Sequence, residues 1–348
     1  MREELLASLA CPLCREHTLR LSQARAVRGE IEAGEITCRR CTTRFPITDS
    51  IPVMTPPALR AEGADEKAGL RHKRQQMAFY DAHGASEFEV CRPAGCGRVY
   101  EYLLREKFRR AVTRLGFELR GHSVLNVCAG SGMDAQFLAE AGARVIALDL
   151  SLEALRAARR RARRFQLHYD LVAADAEALP FAERSLDVSY VHDGLHHLEP
   201  PEVALREMAR VARRAVVITE PAAAALTRVA MCLGIAGEVE EAGNRVNRLS
   251  DLRVRQILLE NGAREIRSAR YLMFYRHQPL RAFQWFEHRL AFAVFRTAFG
   301  AGNALIGRWG NKLTACAILG DAKRNGSPSR AMGLEASRAK PGVLAAEG

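Results

Sequence analysis

Over residues 121–320, short β-rich apolar runs alternate with stretches of helical character. Ser123–Cys128 (SVLNVC) reads as a strand, Gly130-Ser131-Gly132 as a turn, and Asp134–Ala141 as the helix that the turn opens. Arg144–Leu148, Leu167–Ala173, Leu186–His192 and Ala215–Thr219 predict four more strands, with helices over Leu152–Phe165 and Pro201–Val211. Strands that alternate with helices build a parallel sheet covered on both faces, so the predicted class is α/β. Later strands are expected at Ile266–Tyr275 and Lys312–Leu319, with a helical, strongly apolar insert between them, about residues 279–308.

The flanking parts have other patterns. In residues 1–57 the alternation over Thr18–Val27 and Glu30–Thr37 predicts a hairpin, and Thr55-Pro56-Pro57 ends regular structure. Residues 58–120 are charged and helical in pattern, a linker or cap with an aromatic patch at Phe79-Tyr80 and a break at Pro93–Gly97. Residues 321–348 lack an apolar period and predict a disordered tail.

Composition narrows the picture. A chain of 348 residues, 48% apolar, has room for about two domains with full cores. Met1–Ala10 carries too short an apolar run for a secretory signal. Leu290–Ile306 carries Arg296 and several glycines, so we expect a buried or interfacial segment and no transmembrane span. Nine cysteines make an odd count, and five of them (Cys91, Cys96, Cys128, Cys232, Cys316) show no framework spacing. That argues for a reducing, cytoplasmic setting. The net charge of +12 favours anionic partners, although a basic surface is commonly just solvated. Arg156, Arg159, Arg160, Arg163 and Arg164 recur at helical spacing as one basic face, opposite Leu152, Leu155 and Ala162.

Two motifs carry chemistry. Cys11-Pro-Leu-Cys14 and Cys38-Arg-Arg-Cys41 are C-x2-C knuckles, and four thiolates suit tetrahedral zinc. Two disulfides or a redox dithiol are the alternatives, and with every metal position filled by sulfur a structural role is the expectation for zinc. The other motif is VLNVCAGSGMDAQFLAEAGARVIALDLS. Its glycines allow the backbone to approach a ligand, and Asp149, nineteen residues past Gly130, can accept hydrogen bonds from both ribose hydroxyls of a nucleoside. Gly130-x-Gly132-x-x-Ala135 also fits the dinucleotide fingerprint, so the loop alone leaves two cofactors open.

The run LACPLC, ITCRRC and RFPITDSIPVM resembles the Trm112-like zinc module, with Ser50 where glycine is usual. The stretch from about residue 75 to 220 resembles class I S-adenosylmethionine-dependent methyltransferases of the ubiquinone/menaquinone-biosynthesis group (methyltransferase type 11). The resemblance rests on the glycine loop, on Ala173–Phe181 (AADAEALPF), on Ser185–Val188 with Leu195–Leu198 (LHHL), and on Glu207–Val211 followed by Val216–Pro221. It implies a Rossmann-like, mostly parallel seven-stranded sheet beside a small zinc-ribbon β module, with S-adenosylmethionine as cofactor. It also implies that Gly130 and Gly132, flanked by Cys128, Ala129 and Ser131, pass the methionine part of the cofactor. Asp149 and Leu150 would hold the ribose, Asp175 and Ala176 would face the adenine, and His192 and Asp193 would line the cofactor edge. Asn126 stands where the family usually has an acid, and Cys128 where it has glycine. Asn126 accepts a hydrogen bond but adds no charge.

For the acceptor, His196 and His197 are candidate bases beyond the fourth strand, Glu220 is a third candidate, and Tyr80 is placed to cap the cofactor. The run His192-Asp193-Gly194-Leu195 lacks the Asn/Asp-Pro-Pro-aromatic motif of amine and amide methylation. Phe283, Trp285, Phe286, Phe292, Phe295 and Phe299 make the insert a lid, a membrane contact or ordinary helix packing. The favoured reading is O- or C-methylation of a small-molecule or lipid-like acceptor. Its rivals are methylation of rRNA or tRNA, since a zinc ribbon ahead of such a domain also resembles the guanine-N1 rRNA methyltransferases; a non-catalytic adaptor that recruits a protein partner through the zinc module; and, distantly, a nicotinamide dehydrogenase.

Overall fold

The computed structural model describes residues 1–27, 29–60, 68–83, 97–224, 247–273 and 281–320. Cys91, Cys96, Cys232, residues 93–96 of the expected break, and the 321–348 tail lie outside these residues. After α1 (Glu3–Ser8), an antiparallel meander of β1 (Leu19–Val27), β2 (Glu30–Cys38), β3 (Arg44–Thr48) and β4 (Ile51–Pro52) forms the N-terminal module. Its knuckles bring the sulfurs of Cys11, Cys14, Cys38 and Cys41 within 4.8 Å of one another. Four converging thiols of this kind fit a tetrahedral zinc ion. Three helices follow, α2 (Pro57–Arg60), α3 (Ala68–His83) and α4 (Gly97–Val112).

The seven-stranded sheet contains β5 (Ser123–Val127), β6 (Arg144–Asp149), β7 (Asp170–Ala173), β8 (Leu186–His192), β9 (Ala212–Pro221), β10 (Ala263–Tyr271) and β11 (Lys312–Leu319). Its order is β10-β11-β9-β8-β5-β6-β7, and β11 alone runs against the rest. The helices are α5 (Met133–Glu140), α6 (Leu152–Arg164), α7 (Pro201–Val211), α8 (Asp251–Glu260) and α9 (Arg289–Ile306). β8 and β6 leave opposite sides of β5, and open sheets of this kind bind ligands beyond the strand ends at such a reversal.

Several expectations shift. The strand expected from Leu167 starts at Asp170, because Leu167 N–H closes the end of α6 on the Ala162 carbonyl (2.9 Å). The strand expected over Ile266–Tyr275 runs from Ala263 to Tyr271, and residues 274–275 lie outside the described ones. The side chains of Asn303 and Asn311 accept the next two N–H groups, those of Leu272 and Met273, and so end the ladder. Helix α8 was not anticipated. The insert forms α9, and no residue of α9 is buried, so of the expectation that Leu290–Ile306 is buried or interfacial the first alternative fails. Its Phe292, Phe295 and Phe299 edge packs around Tyr102 of α4.

The module and the large sheet share one apolar core, in which Leu9 and Met54 join Leu179 and Phe181. Met54 N–H donates to the Ala173 carbonyl (2.7 Å) and Ala10 N–H to that of Pro180 (2.8 Å). Val53 also bridges Ala173, which covers the open edge of β7. From the basic face of α6, Arg156 meets Asp49 of the module (2.9 Å), while Arg160, Arg163 and Arg164 are exposed. A shared core predicts shared melting. Cys38→Ser, or removal of zinc by a chelator, is expected to lower a single calorimetric transition by roughly 10 °C, since ~3 kcal/mol or more is lost with a structural site. A separate early transition for the module would contradict this.

Candidate functional site

The turn after β5 needs a left-handed backbone at Cys128 (φ +51°), Gly130 (+53°) and Gly132 (+83°). A Cβ at Gly132 would stand 2.8 Å from Ala158 Cβ and 2.9 Å from Tyr169 Oη, so only glycine fits there. Cys128 takes the same conformation with a side chain. Gly194 makes room for it, since a Cβ at that position would lie 2.5 Å from Cys128 Cβ. Burial, with the charges of Asp149 and Glu220, pushes the Cys128 thiol well above its ordinary pKa, so it stays protonated.

Asp149, at the end of β6, ties two loops together. Its carboxylate accepts from Gly130 N–H (2.8 Å) and from Ser151 N–H (2.9 Å). Ser151 in turn caps α6 by accepting from Ala154 N–H (3.0 Å). A carboxylate has about four acceptor sites, so Asp149 retains capacity for ribose hydroxyls. Ala129 N–H donates to the Leu148 carbonyl, and Ala174 N–H to that of Asp149, bringing the ends of β5, β6 and β7 together beside Leu150 and Ser131. Asp175 accepts from Glu177 N–H (2.9 Å) and Lys73 (2.6 Å), with Ala176 buried next to it. Asn126 is buried in β5 and its Oδ1 has no hydrogen-bond partner among the described residues. The unsatisfied acceptor, the left-handed glycine turn and the ribose-competent acid fit a nucleoside cofactor that carries an ammonium group.

A second cluster lies past β8. Asp134 at the start of α5 meets His192 Nδ1 (2.9 Å) and accepts from Tyr190 Oη (3.2 Å). Asp193 pairs with Lys107 of α4 (2.9 Å) and with Lys312 of β11. Burial pushes the Lys107 ammonium down to about 8, against the pull of Asp193. Burial alone would raise Asp193, but both lysines and His192 hold it well below the usual carboxylate range. For His192 burial opposes the charge, yet Asp134 and Asp193 raise its pKa.

The three candidate catalytic residues meet beside this cluster. Glu220 is fully buried, and accepts from Gly194 N–H (2.9 Å), Leu195 N–H (2.8 Å) and His196 Nδ1 (2.7 Å). Despite burial, these contacts hold Glu220 ionised, below the ordinary glutamate pKa. His197 is more open, and its Nε2 lies 3.4 Å from Tyr80 Oη. Tyr80 belongs to α3, which covers the cleft: His72 Nε2 meets the His197 carbonyl (3.0 Å), Lys73 reaches Asp175 and Glu177, and Asp81 accepts from Ser151 Oγ (2.6 Å).

Residues 125–218 match the methyltransferase domain family, and residues 2–50 the Trm112p-like protein family. The chain is thus similar to a methyltransferase domain over residues 125–218, behind a module similar to Trm112p-like proteins. Among curated relatives, demethylmenaquinone methyltransferase of Renibacterium salmoninarum is 39% identical over 107 residues, 31% of this chain and 44% of that protein. Malonyl-[acyl-carrier protein] O-methyltransferase of Pseudescherichia vulneris is 37% identical over 111 residues, 32% of this chain and 42% of that protein. The chain thus spans less than half the length of these relatives. Among solved structures, magnesium protoporphyrin IX methyltransferase of Synechocystis PCC 6803 aligns over 72% of this chain and 100% of that one, at 16% identity and a TM-score of 0.48.

Around this cleft, sequence reasoning passed over Lys107, Lys312, Asp134 and Lys73. Lys107 left a readable trace. Tyr100, Leu103, Leu104, Lys107 and Ala111 share the buried stripe of α4, so a lysine sits where the period calls for an apolar residue. Removing one ion from a buried group strands its partner. Lys107→Met is therefore expected to cost about 2–4 kcal/mol in urea unfolding, less than a full stranding because Lys312 still holds Asp193. Adding Asp193→Asn should recover part of the loss, and additive costs would show that the two do not interact.

Proposed function

We propose that this protein transfers a methyl group from S-adenosylmethionine to an oxygen or carbon of a small-molecule or lipid-like acceptor. Residues 1–57 serve as a structural zinc module, 58–120 as the cap and 121–320 as the catalytic domain. The observation that carries the reading is the pair of loops that Asp149 ties at the carboxyl ends of β5 and β6. The relatives named for demethylmenaquinone and malonyl-[acyl-carrier protein] support an acceptor of this class. Of the basic face of α6, Arg156 is engaged on Asp49 of the module, which breaks the continuity of an RNA track, while Arg160, Arg163 and Arg164 stay exposed. The shared core counts against a detachable adaptor.

The cofactor supplies an electrophilic methyl group on a sulfonium. Asn126 Oδ1 would accept from its ammonium, Asp149 would hold the ribose hydroxyls, Asp175 and Ala176 would meet the adenine, and His192 and Asp193 would line the edge. Lys73 must share Asp175 with the adenine or release it. As the acceptor gains the methyl group it loses a proton, which passes to His197, with Tyr80 beside it. Glu220 and His196 act on positioning, since the carboxylate fixes both the loop and the imidazole.

Calorimetric titration with S-adenosylhomocysteine tests the cofactor. Micromolar binding is expected, weakened roughly 10–100-fold by Asp149→Ala, the loss of charge-assisted bonds worth ~1.5–3 kcal/mol. Binding of NAD in its place would sink the proposal. His197→Asn should leave this affinity unchanged and lower kcat by about 10²–10⁴. An unchanged kcat would move the base elsewhere.

A further inference from the structure

The two tryptophans of the chain flank one helix. Trp285 precedes α9 and Trp309 follows it, 79% and 46% exposed. The inner edge of α9 is fastened to the protein. Phe292, Phe295 and Phe299 set their rings edge-on to Tyr102 at 5.7, 6.3 and 5.9 Å, and Asn303 bonds the Leu272 backbone. The outer edge is apolar and open: Leu290 is 84%, Val294 66% and Leu305 76% exposed. Ala298 and Ala301 continue the row, both exposed.

Single exposed apolar residues are ordinary, but a continuous row with a tryptophan at each end marks a contact surface. Charge narrows the partner. Residues 289–309 contain Arg289, Arg296 and Arg308 and no acid; Arg296 stacks over Tyr102 and Phe292 on the inner edge, which leaves Arg289 and Arg308 at the two ends of the row. The neighbouring Glu287 is engaged on Arg98 N–H (2.8 Å). A second copy packed on this row across a two-fold axis would set arginine against arginine. A lipid surface answers every part of the pattern. Exposed aliphatic side chains enter the acyl boundary, tryptophan rings sit at headgroup level, and arginines meet anionic headgroups. By length and composition Arg289–Trp309 would be enough to cross a bilayer. Its phenylalanine edge is packed on α4, so the helix lies along the surface.

We propose that α9 docks this protein flat on a bilayer containing anionic phospholipid, with Leu290, Val294 and Leu305 inserted and Trp285 and Trp309 as interfacial anchors. The contact is separate from methyl transfer, because α9 lies on the Tyr102 side of α4 while Lys107 of the same helix reaches the cleft.

The test is cosedimentation of the full chain with phosphatidylcholine vesicles, with and without phosphatidylglycerol. Binding is expected to be at least about tenfold tighter with phosphatidylglycerol, and to weaken with salt. Emission of the two tryptophans should shift to the blue on vesicle addition. The combined variant Leu290→Ser, Val294→Ser and Leu305→Ser removes only exposed side chains, so its melting temperature and S-adenosylhomocysteine affinity should match the parent. Its vesicle binding should fall at least about tenfold. No binding to phosphatidylglycerol vesicles, or equal binding by the variant, would overturn the proposal. So would a parent dimer on gel filtration that the variant turns into a monomer. The affinity for S-adenosylhomocysteine, measured on the same samples, reports on the catalytic reading independently.

Discussion

The cleft depends on backbone N–H groups being held by ionised carboxylates at the ends of parallel strands. A chain leaving a strand in a tight turn exposes donors that no ladder partner satisfies. Asp149 takes two of them, Asp175 one, and Glu220 two. Each acid thereby fixes a loop that lies beside a different strand. Charge-assisted bonds of this kind are short and strong, and they align the loops before any ligand arrives.

Charge is balanced inward from the opposite side. Lys107 and Lys312 enter from α4 and β11, elements far apart in the chain, and converge on Asp193. Asp134, His192 and Tyr190 continue the network under β8. A buried cluster of this kind contributes little net stability compared with apolar packing, but it penalises any arrangement that separates its members. It therefore fixes where α4 and β11 lie on the sheet.

The periodic parts of the chain were the readable ones. Lys312–Leu319 and Pro201–Val211 keep the expected limits, because alternation and helical spacing there meet an equally regular environment. The knuckles were legible because metal chemistry restricts spacing. The limits of β7 and β10 were not, since they are set by tertiary hydrogen bonds from Leu167, Asn303 and Asn311 that no local pattern announces. Cys128 is instructive in another way. Its tolerance of a side chain at a left-handed position depends on Gly194, 66 residues away, and only the fold brings the two together. Glu220 was visible as an acid at a strand end, but its service to the 194–196 loop was not.

The common core of the ribbon and the large sheet has an evolutionary meaning. Leu9 and Met54 cover Leu179 and Phe181, and Val53 closes the edge of β7. Separating the halves would lay both apolar surfaces and the unpaired edge of β7 open to water. Recombination that separates them must then repair two surfaces at once.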